Sequence, residues 1–180
     1  MSTQGKSAVE SGEKFEDEVV CYIGQKMKIP VYKSSEWLRR TGQHKESLKR
    51  DLKNPSIDKD KPVILEQHRY IGIFGEEKRT SRDIVIMCEN AKYEIELKFQ
   101  TVPGSTDEKV IYAFNCMGIS DCDVGIVCVD GEYWYKQEYR IKGLQKSADW
   151  FSNQFTKEIF LFTLPELKDY INNITKEIAA

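Results

Sequence analysis

The stretch Asp83–Gln100, DIVIMCENAKYEIELKFQ, decides how the rest of the chain is read. Its opening, DIVIMC at 83–88, is β-branched and apolar and predicts a short strand. YEIELKFQ at 93–100 alternates polar and apolar side chains almost without exception, the two-residue period of a strand with one buried face. Only Glu89–Lys92 separates the two, and so short a connection joins neighbouring strands antiparallel. The segment therefore reads as a β-hairpin.

On its second strand Glu94, Glu96, Lys98 and Gln100 share one face, and Ile95, Leu97 and Phe99 the other. Counting outward from the centre of the turn sets Asp83 opposite roughly Lys98, which brings Asp83, Glu96 and Lys98 together. Two carboxylates and a lysine in one cluster suit phosphodiester hydrolysis. The carboxylates are the oxygen donors that Mg²⁺ prefers, with Mn²⁺ as a substitute. Such a cation polarises the scissile phosphate and lowers the pKa of a bound water. The lysine, kept charged by its acidic neighbours, stabilises developing negative charge. Glu-x-Lys on a strand and Asp at a strand start are each common at solvated edges, so the weight of the reading falls on order and context.

Upstream, residues 1–8 read as a loose tail. A helix is predicted from about Val9 to Lys28, where Phe15, Val19, Val20, Ile23 and Met27 form one apolar stripe before Pro30. Residues 34–53 are polar with the apolar anchors Trp37, Leu38 and Leu48, a pattern suited to a surface helix, and NPSIDKDKP at 54–62 is a loop by composition. Val63–Phe74 contains an extended segment closed off by Gly72 and Gly75.

Downstream of the hairpin, Ser105 with Glu108 forms a capping box that opens a helix to about Met117. Asp123–Val129 is an apolar run typical of a strand buried on both faces. Asp130-Gly131 predicts a hairpin turn into Tyr133–Tyr135. Trp150, Phe151 and Phe155 are expected to pack on the sheet, IFLFT at 159–163 is a further strand, and Thr163 with Glu166 caps a last amphipathic helix through Leu167, Tyr170, Ile171 and Ile174. The fold class that follows is α/β, a central mixed β-sheet flanked by helices.

Length and composition narrow the classes. A chain of 180 residues fits one domain, and 40% hydrophobic with 31% charged residues describes a globular protein rather than a disordered one. No apolar run approaches the roughly 18 residues of a membrane span, and the first 20 residues lack the apolar core of a secretory signal. A cytoplasmic protein without a membrane partner is expected. The five cysteines are odd in number with no C-x-x-C pair, and the two histidines, His44 and His68, lie far apart. Neither a disulfide framework nor a zinc site follows; the thiols read as small hydrophobes. A net charge of -2 does not announce a nucleic-acid binder, yet Arg39, Arg40, Lys45, Lys49, Arg50 and Lys53 crowd one segment.

With these elements in order, the sequence resembles the PD-(D/E)xK nuclease superfamily, and within it the small type II restriction endonucleases. The likeness is carried by S-R-D-I-V-I at 81–86, E-I-E-L-K-F-Q at 94–100, P-G-S-T-D-E-K-V at 103–110 and G-E-K-F-E at 12–16. These motifs cover about residues 12–129, the expected catalytic core, with 130–180 a C-terminal extension of the same single nuclease domain.

The resemblance implies a restriction-endonuclease-like core and assigns roles. Asp83 and Glu96 become metal ligands, Lys98 the catalytic lysine, Glu16 an auxiliary acid and Gln100 a residue lining the site. Arg82 stands where many relatives have proline, and Glu94 is a third carboxylate on the same face, so the choice between Glu94 and Glu96 depends on strand register. Lys109 and the helix start at Ser105 suit a phosphate. Together with Arg79, Arg82 and the basic run at 39–53 they are the expected DNA contacts.

The function this implies is a Mg²⁺-dependent endonuclease of type II restriction type, cutting double-stranded DNA as a homodimer, with a companion DNA methyltransferase. Two alternatives stand beside it. One is a junction-resolving or repair nuclease of a phage or mobile element, a class that usually carries a more basic surface. The other is a non-catalytic DNA-binding module on the same fold.

Overall fold

A computed structural model describes residues 3–33, 62–71, 79–88 and 90–178. The elements in chain order are α1 (Thr3–Met27), β1 (Val31–Lys33), β2 (Val63–Ile71), β3 (Arg79–Met87), β4 (Lys92–Phe99), α2 (Thr106–Ile119), β5 (Val124–Asp130), α3 (Glu132–Tyr135), α4 (Glu138–Phe155), β6 (Glu158–Thr163) and α5 (Leu164–Ile178). The strands form one sheet in the order β1-β2-β3-β4-β5-β6. β3 runs antiparallel to both β2 and β4, whereas β1 pairs parallel with β2, and β4, β5 and β6 are parallel neighbours. The sheet is therefore mixed, as expected.

Each face of the sheet is covered by its own helices. On one face Phe15, Val19 and Ile23 of α1 and Leu167 and Ile171 of α5 close over Ile84, Ile86, Ile95, Leu97 and Ile126. On the other, Val110, Phe114 and Met117 of α2 and Ile141, Leu144 and Ala148 of α4 pack with Val127, Val129, Ile159 and Leu161. β5 lies between these layers, and Val124–Val129 are all buried, which explains its unbroken apolar run.

Several local expectations change. α1 already begins at Thr3, inside the stretch read as a tail. It ends at Met27, where Lys28 beyond it takes a left-handed backbone (φ 55) and donates its N–H to the Gly24 carbonyl at 3.0 Å, two residues ahead of Pro30. Ser105 precedes α2 but its side chain makes no capping bond, because φ -80, ψ 29 departs from the extended backbone that aims a capping oxygen at the helix N–H groups. No hairpin follows Asp130. β5 has a parallel neighbour on each side and no free edge for a returning strand, so Gly131 (φ 105) turns the chain into the short helix α3.

Trp150 is 58% exposed instead of packed on the sheet, while Phe151 lies 5.9 Å from Phe114 and stacks on Phe155 at 6.2 Å. The cap of α5 forms: Glu166 accepts from both the N–H and the hydroxyl of Thr163 at 2.7 Å. Cys116, Cys122 and Cys128 are buried and all five thiols are free. The surface helix and basic run assigned to 34–53, nearly all of the loop at 54–62, and Gly72 and Gly75 lie outside the described residues.

Candidate active site

The pairing of β3 lapses on both sides at one residue, Asp83. Toward β2, Glu66 pairs with Ile84 and His68 with Arg82, but Gln67 and Asp83 between them do not pair. Toward β4, pairing runs from Met87↔Lys92 to Ile84↔Ile95 and stops. Where the ladder ends, a side chain takes over: the Leu97 N–H donates to Asp83 Oδ2 at 2.7 Å. The carboxylate is thereby held against the backbone between Glu96 and Lys98.

This register corrects the counting from sequence. β4 begins at Lys92 and pairs it with Met87, so the turn is centred one residue earlier than a turn at Glu89–Lys92, and the ladder extended by one step sets Asp83 opposite Glu96, not Lys98. Lys98 still reaches the cluster by bending back along its own strand. Its Nζ donates to Glu96 Oε1 at 2.5 Å and lies 3.4 Å from the Leu97 carbonyl.

Glu16 enters from α1. The amide of Gln67, a residue with left-handed backbone (φ 51), donates to Glu16 Oε2 at 3.1 Å and reaches Asp83 Oδ1 at 3.5 Å. Burial and the nearby Glu96 charge raise the Asp83 carboxyl to about 7, against the lowering pull of the Leu97 N–H and of Lys98. Glu16 is also raised, first by burial, with the Gln67 hydrogen bond and Lys98 acting in the opposite sense.

The two candidate glutamates are separated by their surroundings. Glu94 is fully buried and its Oε2 accepts from Arg82 Nε at 3.0 Å, with Lys92 Nζ 3.5 Å from Oε1. Glu96 keeps a buried oxygen, Oε2, that no hydrogen-bond donor meets and that lies 3.7 Å from the Arg82 guanidinium. A raised Asp83 beside a Glu96 oxygen without a donor is a pair of hard oxygen ligands short of positive charge, and it fits a divalent cation that keeps part of its water shell. Among the described residues no group of three or more His, Cys, Asp and Glu stands in metal-holding geometry, so water or backbone oxygen would complete the set.

The remaining expected residues scatter. Arg82 is 2% exposed and engaged with Glu94 and Glu96, so it belongs to the buried charge network and presents no cation at the surface. Gln100 turns away from Lys98: its side-chain amide donates to the Val102 carbonyl, its N–H to Asp130 O, and its carbonyl accepts from Tyr133 N–H. Ser105 and Lys109 are exposed at the start of α2, and Lys109 lines one cleft with Glu16, Lys98 and Thr106. Arg79, at the start of β3, pairs with Ile71 at the end of β2, and nothing of its side chain is described. Reading the sequence missed Gln67 and the buried Arg82–Glu94 pair. Nothing in ILEQHRY at 64–70 signals a left-handed residue, and an Arg before a strand Asp looks like any surface cation.

The chain matches the model of a PD-(D/E)XK nuclease superfamily domain over residues 8–175. No curated protein and no solved structure matches it. The matched span takes in all six described strands, including the β3–β4 hairpin that carries Asp83, Glu96 and Lys98, and most of α1 and α5. By that match and that fold, the chain belongs to the PD-(D/E)XK nuclease superfamily.

Proposed function

We propose that this protein is a metal-dependent endonuclease that hydrolyses DNA phosphodiester bonds, with Asp83 and Glu96 as metal ligands, Lys98 as the catalytic lysine and Glu16 as an auxiliary acid. The observation that carries the reading is the Asp83 carboxylate bound to the Leu97 N–H, which sits between Glu96 and Lys98 where the sheet pairing ends. PD-(D/E)XK nucleases typically use divalent metals, and Mg²⁺ is the cation proposed here, with Mn²⁺ as a substitute. When bound, it would polarise the scissile phosphate and neutralise charge on the leaving oxygen.

The chain's own residues do the rest. Asp83 and Glu96 supply oxygen ligands of fixed orientation. Lys98, pinned by Glu96 at 2.5 Å, holds a positive charge beside the place where negative charge develops. Lys109 and the start of α2 border the same cleft and are suited to steady a backbone phosphate. With Arg82 buried, Lys98 and Lys109 are the described cations on the cleft, and Arg79 and the basic run at 39–53 stay, in this proposal, contacts to the DNA backbone.

The substrate we favour is double-stranded DNA, cut at discrete sites by a homodimer in the manner of a type II restriction enzyme. The test uses purified protein beside Asp83→Ala and Lys98→Ala variants, given plasmid, phage, branched and single-stranded DNA with Mg²⁺, Mn²⁺ or EDTA. Discrete metal-dependent fragments lost in both variants support restriction, and nicking confined to branched DNA supports a resolving or repair nuclease instead. Absence of cleavage of every form with either metal sinks the enzyme and leaves a DNA-binding module.

A further inference from the structure

We infer that Gln67 is the positioning residue of this site, a neutral clamp whose amide ties Glu16 of α1 to Asp83 of β3, orienting Asp83 for the cation and holding Glu16 beside it as the auxiliary acid. The inference rests on the metal-site reading above and names a residue that neither the sequence motifs nor the family match assigns.

Three observations converge on Gln67. It lies where β2 and β3 stop pairing opposite Asp83, although the ladder resumes one residue further on at His68↔Arg82. Its backbone is left-handed (φ 51), a conformation that costs a side-chain-bearing residue energy and persists where surrounding structure demands it. Its Nε2 donates to Glu16 Oε2 at 3.1 Å and lies 3.5 Å from Asp83 Oδ1. A regular strand residue at 67 would satisfy the ladder and leave α1 without this tie to the sheet.

The choice of an amide has a chemical reason. The –NH₂ group carries two donors, one for each carboxylate, and no charge. A lysine or arginine there would hold the acids equally well but would compete with a divalent cation for them. Asp83 is consequently met at both oxygens by neutral donors, Gln67 at Oδ1 and the Leu97 N–H at Oδ2. A carboxylate offers about four lone-pair sites, so each oxygen keeps one for a metal. Partners of this kind that orient metal ligands typically contribute about 10–100-fold to metal affinity or activity.

The test is Mn²⁺ binding by electron paramagnetic resonance, with thermal melts in EDTA, on wild type, Asp83→Ala, Gln67→Gly and Gln67→Asn. Glycine suits the left-handed backbone and removes the amide; asparagine tolerates that backbone but is one methylene too short to span Glu16 and Asp83. Both Gln67 variants should melt in EDTA no lower than wild type and bind Mn²⁺ about 10–100-fold more weakly. On DNA they should lose kcat with KM little changed.

Wild-type Mn²⁺ affinity in both, while Asp83→Ala binds none, overturns the role of Gln67 and leaves the metal site standing. Equal loss of melting temperature and Mn²⁺ binding in the glycine variant, with both retained in the asparagine variant, would make residue 67 a backbone element only and also overturns it. If wild type itself shows no Asp83-dependent Mn²⁺ binding, the metal-site reading fails and this inference with it.

Discussion

Arg82 and Glu94 meet out of reach of water, Nε to Oε2 at 3.0 Å, with side chains only 3% and 1% exposed. The same guanidinium lies 3.7 Å from Glu96, so the acidic face of β4 rests on a buried cation one residue away from Asp83. Removing one partner of a buried pair strands the other charge. Arg82→Ala should cost about 3–5 kcal/mol of stability, and Arg82→Met together with Glu94→Leu should recover most of that loss. Urea unfolding in EDTA measures both.

Glu94 and Glu96 should separate cleanly by substitution. Glu94→Gln weakens a buried ion pair and should lower the melting temperature. Glu96→Gln removes a charge that pushes Asp83 upward, so it should leave the metal-free protein as stable as wild type or more so. It should also reduce cleavage at least about 100-fold, since a metal ligand contributes several kcal/mol to the transition state. Melting curves and plasmid cleavage on the same preparations decide it, and the opposite pattern would make Glu94 the ligand.

In the proposed mechanism Lys98 stabilises developing charge and is not the main handle on DNA. Lys98→Ala should reduce kcat by about 10²–10³-fold with KM changed only slightly. Lys98→Arg should restore little, because a planar guanidinium does not occupy the position of a compact ammonium 2.5 Å from Glu96 Oε1. Steady-state cleavage of a single-site substrate reads both parameters.

The pH dependence of stability follows from Asp83. Its carboxyl is raised from 3.8 to about 7 by burial and by Glu96, so the folded state holds this proton more tightly than the unfolded chain. For a raised acid, the favourable contribution is complete below the unfolded value and is lost as pH rises through the folded one. Metal-free protein should therefore lose stability between about pH 4 and pH 7, by a few kcal/mol from this group. Asp83→Asn should flatten that loss. A divalent cation competes with the proton, so Mn²⁺ should raise the melting temperature far more at pH 8 than at pH 5, as scanning calorimetry with and without Mn²⁺ would show.

Strand alternation and helical stripes are local, and they were legible. YEIELKFQ announces a half-buried strand, DVGIVCV one covered on both faces, and Phe15–Met27 an amphipathic helix, because each period depends only on which neighbours share a face. The motifs in their order also brought out the family, which the match over residues 8–175 bears out. Neither a local period nor a motif could say that Asp130-Gly131 lacks a free edge for a hairpin, since that depends on β6 lying parallel on the far side of β5.

What the sequence by itself determined is the mixed α/β scaffold and the face of β4 that carries Glu94, Glu96 and Lys98. Only the tertiary structure decided which acid is withdrawn into a salt bridge and that Arg82 points inward. It alone placed Asp83 opposite Glu96 and drew Glu16 to the site through Gln67. The physical reason is that burial, register and electrostatic pairing are set by groups distant along the chain. Gln67 and Glu16 are 51 residues apart and Asp83 and Leu97 are 14, and only the folded sheet brings each pair within hydrogen-bond reach.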